Sequence, residues 1–216
     1  CVTKIPDSMS FEVASLAEPT GVALDVIAAA DITVGDNVLV MGPGPIGLIA
    51  ACISKHMGAG RVIVSGRSRA KARLDAALKL GADEIIESDK ISVANYDYGR
   101  RRPNKIFVTS PPETIPDAIT AADKGGVIVY IGMAFGKGGH VEFEGDDFHM
   151  RKLSLKGSFA SPSIFLADAV RYLDILPRIG EVLVNPVFEL KDLEASFNKF
   201  KEDHGRTVIK PVMINK

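Results

Sequence analysis

Glycines spaced as G-x-G-x-x-G give the sequence its clearest chemical signal. Gly42 and Gly44 stand between an apolar run at 37–41 and an amphipathic run that starts at Pro45, and Gly47 lies near the start of that second run. Between a strand and a helix, the first glycine permits a tight turn, the second lets the backbone approach a pyrophosphate, and the third lets the helix lie close to the strand. The pattern predicts a dinucleotide-binding turn. The alternative is a set of glycines that only make a turn in a sheet that binds nothing.

The start of the following helix belongs to the same predicted site. Its free N–H groups and the positive end of its dipole are expected to face the phosphates. Pro45 costs little at the first helical position, because the N–H group that it lacks has no partner inside the helix. Pro45 and Ile46 are therefore predicted to contact the dinucleotide together with the glycines.

The end of the next apolar run indicates which dinucleotide is expected. An NAD site usually has a carboxylate about 20 residues beyond the glycines, which bonds the ribose hydroxyls. That position falls at Gly66, and residues 42–74 contain no Asp or Glu. The run ends instead in Ser65, Gly66 and Arg67, with further basic residues at Arg69, Lys71 and Arg73. A guanidinium beside hydroxyl groups suits a phosphate dianion, so NADP is expected, with NAD possible. A solvated helix start is the alternative for these charges.

The strands and helices that position these residues are predicted by an alternation of two sequence patterns. Short apolar runs, several of them dense in Val and Ile, predict strands at 37–41, 61–65, 84–86, 105–109, 127–131 and 153–158. Helical patterns between them cover 45–57, 69–80 and 114–124. This alternation favours right-handed crossovers and a parallel sheet with helices on both faces. The expected fold is a doubly wound, Rossmann-type α/β sheet.

The two ends of the chain interrupt that alternation. Residues 1–19 contain Pro6 and Pro19, and residues 185–216 are predicted to hold a helix at 193–200 and a strand at 207–214. We therefore expect a nucleotide-binding domain at 20–184, with flanking segments that belong to a mostly missing catalytic domain. The chain starts at Cys1 rather than Met and shows no signal-peptide pattern, which adds to the expectation of a missing N-terminal portion.

Composition argues against several other classes of protein. The 216 residues carry 26 Lys plus Arg and 27 Asp plus Glu, a net charge of −1, so neither nucleic acid nor an anionic membrane surface is the expected partner. No uninterrupted apolar run of about 20 residues predicts a membrane span. Two cysteines, Cys1 and Cys52, exclude a disulfide scaffold and a four-cysteine zinc site. They fit a reducing compartment, so a cytoplasmic location is expected.

Several segments together resemble the medium-chain dehydrogenase/reductases, in particular the zinc-dependent polyol, sorbitol and threonine dehydrogenase branch. Beside the glycine-rich turn, they are Glu18-Pro19 before a helix-like 20–30, Val34–Val40, Leu80–Asp83, Gly125–Gly132 and Leu155–Phe159. The resemblance implies a two-domain enzyme that moves hydride between an alcohol or polyol and a nicotinamide ring while a zinc ion polarises the alcohol oxygen.

The resemblance also implies roles for individual residues. Thr109 would line the nucleotide cleft, and the residues expected to approach the nicotinamide are Ile131, Gly132, Met133, Ser158 and Phe159. The sequence departs from the family at Gly66, where NAD-using members carry an acid, and at Asp25, where relatives often have His. The first departure supports NADP, and the second leaves a proton relay open.

Glu18 is the single metal contact that the resemblance implies. The family's zinc ligands lie mainly in a domain that precedes this region, and the glutamate of the Glu-Pro step lies close to the zinc. The alternative is a carboxylate that interacts with free N–H groups at a helix start. The histidines, His56, His140, His149 and His204, are scattered without metal-ligand spacing. Zinc is expected only in a full-length form.

The expected function is the coenzyme-binding part of a zinc-dependent alcohol or polyol dehydrogenase, inactive without its N-terminal domain. A stand-alone NADP-binding sensor or scaffold remains an alternative, as does a zinc-free quinone-type reductase, in which Glu18-Pro19 would be unexpected. Relatives pair through the sheet edge into dimers and tetramers, so a homo-oligomer is expected, with the strand at 153–158 and the helix at 165–176 as its candidate contacts.

Overall fold

A parallel sheet forms the centre of the computed structural model, which describes residues 2–134, 136, 138–159, 162–203 and 210–214. In these residues, six strands pair in the order β3-β2-β1-β4-β5-β6. They are β1 (Asn37–Met41), β2 (Arg61–Gly66), β3 (Glu84–Glu87), β4 (Lys105–Val108), β5 (Val127–Tyr130) and β6 (Ser154–Gly157). All neighbouring pairs are parallel. The predicted Rossmann-type fold is confirmed, and each strand matches its predicted bounds to within one residue.

The strand order creates a crevice at one edge of the sheet. The chain moves outward from β1 to β3, then returns to the other side of β1 and continues outward from β4 to β6. In open α/β sheets, ligands bind outside the carboxyl ends of the strands at the point where the order reverses. Here that point lies between β1 and β4.

Helices cover both faces of the sheet. In the described residues they are α1 (Phe11–Ala14), α2 (Ala17–Ala30), α3 (Pro45–His56), α4 (Lys71–Lys79), α5 (Ile115–Ala121), α6 (Gly145–Met150), α7 (Pro162–Ile175), α8 (Arg178–Leu183) and α9 (Leu193–Asp203). Buried residues of α2, α3, α4, α7 and α8 share one core with the sheet, while α5 packs in the other. The sequence patterns missed the short helices α1, α6 and α8.

Two predicted helices are shorter in the structure because of local geometry. α4 begins at Lys71 rather than at residue 69, because residues Ser68–Ala70 form a 3₁₀ turn. α5 ends at Ala121 rather than at residue 124, because Ala122 takes an extended backbone with φ −60° and ψ 146°. Neither change alters the order of the helices and strands.

α2 is the helix on which the apolar core is centred. The helical segment Phe11–Ala30 has the length and mean hydropathy, 1.4, of a membrane-crossing helix, and 56% of that apolar window is buried inside the protein. α2 packs against α7 and α3 and contributes buried residues from Ala17 to Ala30. Packing in the core therefore accounts for its apolar character.

The C-terminal segment contains a strand that the sequence patterns missed. β7 (Val184–Glu189) pairs in parallel with β8 (Lys210–Ile214) to form a separate two-stranded sheet. α9 between them runs from 193 to 203, three residues longer than predicted. Residues 207–209 of the predicted strand, like Cys1 and His204, lie outside the described residues.

Candidate nucleotide-binding site

A cleft of about 580 Å³ lies at the carboxyl ends of β1, β2 and β4. This volume falls in the range of small-molecule sites. The cleft is lined by six of the residues predicted to bind the coenzyme, Gly42, Gly44, Ser65, Gly66, Arg67 and Thr109. These six predicted residues therefore lie on one continuous surface.

The glycine-rich turn is fixed from both neighbouring strands. Gly42 has φ +113°, a backbone conformation that favours glycine, and its N–H donates to the Ser65 carbonyl at 2.9 Å. The Thr109 hydroxyl donates to the carbonyls of Met41 and Gly42 at 3.0 and 2.9 Å. A Cβ on Gly47 would overlap the Gly42 carbonyl oxygen and lie 2.9 Å from Thr109 Oγ1. Residue 47 must therefore be glycine if α3 is to start where it does.

Gly44 differs from the other two glycines of the motif. It is the N-cap of α3, with φ −72° and ψ 169°, and nothing lies within 4 Å of the position that its Cβ would take. Pro45 and Ile46 follow in the first turn, which carries no acidic residue. The helix start therefore presents backbone N–H groups and a positive dipole end to open space in the cleft, the arrangement that accepts a pyrophosphate.

Pro43 covers Gly66 at the end of β2. A Cβ on Gly66 would lie 2.5 Å from Cγ and 2.6 Å from Cδ of the Pro43 ring. A side chain at position 66 does not fit beneath this ring. The sequence has no ribose-binding carboxylate at position 66, and the Pro43 ring leaves no room for one.

Three arginines surround that end of β2. Arg67 and Arg69 are exposed and Arg73 is half-buried, and all three line the cleft. Burial is the main cause that lowers the pKa of Arg73, and the charge of Asp203 opposes it. Lys71 lies outside the cleft lining and pairs with Asp75 at 3.7 Å. Ser65 is only 3% exposed, so it lies on the cleft floor below the arginines.

Asp89 is a carboxylate near this site that sequence reasoning missed. Its oxygens accept hydrogen bonds from the backbone N–H and the hydroxyl of Ser68, both at 2.6 Å, and the hydroxyl is the main cause that lowers the pKa of Asp89. The two residues are 21 positions apart, so no local pattern pairs them. Both carboxylate oxygens are directed at Ser68, which holds the turn after Arg67.

Other carboxylates line the opposite wall of the cleft. Glu113 and Asp117 border it, and the Ser92 hydroxyl donates to Asp117 at 2.7 Å. Acidic and hydroxyl groups of this kind accept hydrogen bonds from amino groups of a ligand. The cleft therefore offers cations on the β2 side and acceptors on the β4 side.

The residues predicted to approach the nicotinamide lie beside the cleft lining, at the same edge of the sheet. The backbone N–H of Ile131 donates to Val108 at 3.0 Å, and that of Ser158 donates to Tyr130 at 2.9 Å. A Cβ on Gly132 would overlap the Ser110 carbonyl, so the loops after β4 and β5 are in direct contact. Met133 and Phe159 are 55% and 85% exposed.

Glu18 lies at the start of a helix. It is exposed and belongs to the first turn of α2, so Glu18-Pro19 lies inside the helix rather than before it. The described residues contain no group of three or more His, Cys, Asp or Glu that would hold a metal ion. The part of the chain that the structure describes therefore does not form a zinc site by itself.

Comparison with known proteins identifies the family. The model of the family described as Zinc-binding dehydrogenase matches residues 45–173. Probable D-xylulose reductase A of Aspergillus fumigatus is 30% identical over 214 residues, which cover 94% of this chain and 57% of that protein. Sorbitol dehydrogenase of Ovis aries is 35% identical over 136 residues, which cover 60% of this chain and 38% of that protein.

A solved structure shares the fold over almost the whole chain. It is a short chain alcohol dehydrogenase from E. coli CFT073 complexed with NADH, with a TM-score of 0.87 and 24% identity. The match covers 98% of this chain and 61% of that one. Where a relative matches almost all of this chain, as the xylulose reductase does, the chain spans little more than half of that relative's length. By sequence, fold and glycine-rich turn, the chain belongs to the zinc-binding dehydrogenase family, as its resemblance to the medium-chain dehydrogenase/reductases predicted.

Proposed function

We propose that the chain is the coenzyme-binding part of a zinc-dependent dehydrogenase that moves hydride between an alcohol or polyol and NADP. The observation that carries the proposal is the start of α3, where Gly44 opens onto the cleft and the turn is held rigid by Thr109 and Ser65. When bound, the coenzyme supplies the hydride acceptor or donor. The names of the relatives support an alcohol or polyol as the class of substrate.

The chain's own residues bind and orient the coenzyme. The N–H groups of Ile46 and Gly47 bind the pyrophosphate, because the helix dipole favours negative charge at this point. Gly42 and Gly47 allow the turn and helix to approach each other closely, so the first turn of α3 follows directly after Gly44, which lines the cleft. Ile131, Gly132, Met133, Ser158 and Phe159 receive the nicotinamide half at the ends of β5 and β6.

We further propose NADP rather than NAD as the preferred coenzyme. Arg67 and Arg69 border the cleft at the end of β2, where an adenosine ribose is expected, and Ser65 lies below them. A guanidinium bonds two oxygens of a 2′-phosphate and balances its charge. Pro43 excludes a carboxylate from position 66, where it would repel that phosphate.

We propose that zinc is bound only in a longer protein that contains this chain. The chain covers 57% of the length of its xylulose reductase relative. We propose that Glu18 contributes one carboxylate near a metal whose other ligands lie in the part of the relatives that the chain does not span. Isolated, the chain would bind coenzyme and turn over little substrate.

We also propose that two copies of the chain form a dimer through the open edge of β6. The proposed location is the cytoplasm. β6 is the edge strand of the sheet and is largely exposed. Apolar side chains near that edge are also exposed, including Phe159 at 85% and Ile164 at 72%. Pairing of β6 with its copy would satisfy the open backbone groups of the strand.

Titration of NADPH and NADH fluorescence with the protein tests coenzyme binding and preference. We expect tighter binding of NADPH, and we expect Arg67→Ala to weaken NADPH binding about tenfold while leaving NADH binding unchanged, because only NADPH carries the 2′-phosphate. Lys71→Ala is the matched control, since Lys71 is a basic residue of the same stretch outside the cleft lining.

The possible outcomes separate the two parts of the proposal. Absence of binding by either coenzyme would remove the proposed function. Equal affinities for both coenzymes, unchanged in Arg67→Ala, would remove the 2′-phosphate site and leave a general nicotinamide coenzyme site. An equal loss in Lys71→Ala would show that net charge, rather than the position of Arg67, sets the affinity.

A further inference from the structure

Two hydrogen bonds attach β6 and the residue after it to α2. Lys156 Nζ donates to the Ala29 carbonyl at 2.8 Å, and the Ser158 hydroxyl donates to the Asp25 carboxylate. Lys156 and Ser158 are two residues apart, so they point to the same face of the strand. Asp25 and Ala29 are four residues apart, so they lie on the same side of the helix. The two bonds therefore form a matched pair across one interface.

Burial distinguishes the Ser158 bond from an ordinary surface contact. Ser158 is 8% exposed, whereas Phe159 directly after it is 85% exposed. A hydrogen bond to a carboxylate is stronger than one between neutral groups, and a buried hydroxyl without an acceptor is costly. Asp25 therefore holds Ser158, the buried residue that directly precedes the exposed Phe159.

Ser158 lies on the half of the crevice expected to receive the nicotinamide. A sheet of this order has two mononucleotide-binding halves, and the ribose of the adenosine half is bound at the end of the second strand. In this chain that end is Gly66 of β2, so the other half of the coenzyme extends over β4 to β6. Ser158 follows β6 directly, and its N–H donates to the Tyr130 carbonyl of β5.

α2 also connects this point with Glu18. Glu18 and Asp25 are seven residues apart in the helix, so they share a face and are separated by about 10 Å along its axis. The helix that carries the proposed metal-side carboxylate is thus attached to the loop after β6. A shift of α2 would therefore also move Ser158 and the start of the loop after β6.

We propose that Asp25 is a positioning residue for the nicotinamide half of the coenzyme. By accepting the hydrogen bond from Ser158, Asp25 holds the start of the loop after β6 in the conformation that receives the nicotinamide ring. The inference rests on the function proposed above. It assigns Asp25, at which the sequence departs from its family, to coenzyme orientation rather than to proton transfer.

Calorimetric titrations with two probes test this role. NADPH carries both halves of the coenzyme, whereas 2′-phospho-ADP-ribose lacks the nicotinamide. We expect Asp25→Ala to weaken NADPH binding about tenfold and to leave 2′-phospho-ADP-ribose binding unchanged, because the lost bond acts at one half of the site only. A residue that is merely structural would weaken both probes alike.

Further variants test whether the effect comes from the Asp25–Ser158 hydrogen bond, and they provide alternatives if one variant does not fold. Ser158→Ala is expected to weaken NADPH binding at least as much as Asp25→Ala, and the double variant to bind no worse than Ser158→Ala, because both substitutions remove the same bond. Asp25→Asn keeps an acceptor oxygen and should retain most of the affinity. The matched control is Asp168→Ala on α7, an exposed carboxylate paired with Arg171 at 3.0 Å and outside the cleft lining.

Each outcome bears on the inference. An equal loss for both probes in Asp25→Ala and Ser158→Ala, or no loss for either, would overturn it, as would additive losses in the double variant. If Asp25→Ala does not fold, as judged by circular dichroism, Ser158→Ala and Asp25→Asn decide by the same comparison of probes. If the unchanged protein binds neither probe, the proposed function is wrong and the inference falls with it.

Discussion

The two halves of the crevice are built in different ways. The side proposed to bind the phosphates consists of backbone: a strand, three glycines and the start of a helix within residues 37–47. The side proposed to receive the nicotinamide depends on contacts between distant segments, such as Asp25 with Ser158, which are 133 residues apart. The comparison teaches that a site made of consecutive backbone can be recognised from a motif. The long-range side-chain contacts that hold the other side together become visible only when the fold is known.

The largest expected effect tests the backbone side. Gly47→Ala should lower the free energy of unfolding by about 2 to 3 kcal/mol, because its methyl group overlaps the Gly42 carbonyl and crowds Thr109. Urea unfolding measures the change. An alanine tolerated here without loss of stability would show that the turn can move, and that its geometry is not fixed by packing.

Gly44→Ala sharpens the contrast within the same motif. Stability should change by less than about 1 kcal/mol, because the position has an ordinary φ of −72° and open surroundings. NADPH binding should weaken about tenfold, because the methyl group occupies the space through which the pyrophosphate approaches. Unchanged NADPH affinity in a folded variant would contradict the assignment of this space to the phosphates.

The smallest effect is expected at the opposite edge of the sheet. Glu84 accepts two hydrogen bonds from Arg61, at 2.8 and 2.7 Å, and these are the main cause that lowers its pKa below the ordinary value of 4.5. A carboxyl with a lowered pKa stabilises the fold above its ordinary pKa, and the contribution is lost as the pH falls through the folded value.

Glu84→Gln should therefore cost about 1 kcal/mol or less at pH 7, and the difference from the unchanged protein should shrink below about pH 4. Thermal unfolding at both pH values measures it. NADPH affinity at pH 7 should remain the same, since Glu84 lies at the start of β3, away from the carboxyl edge. A loss of affinity would show that the two edges of the sheet are coupled.

The strands and the glycine-rich turn were predictable because their causes are local. Short apolar runs, most of them containing Val or Ile, predicted the strand bounds, and the glycine spacing predicted the turn. The start of α4 was misplaced because Asp89, distant in sequence, holds Ser68 in the preceding turn. β7 was missed because its pairing with β8 lies in a segment without the main alternation. The nicotinamide-side residues came only from family resemblance, since their contacts join separate loops.

The Pro43 ring over Gly66 makes these two positions interdependent. An acid introduced at position 66 alone would bring its Cβ to 2.5 Å from the ring, so the ring or the strand would have to shift. A smaller residue at position 43 would remove this contact. A redesign of the proposed coenzyme preference would therefore begin in the glycine-rich turn, one strand away from position 66.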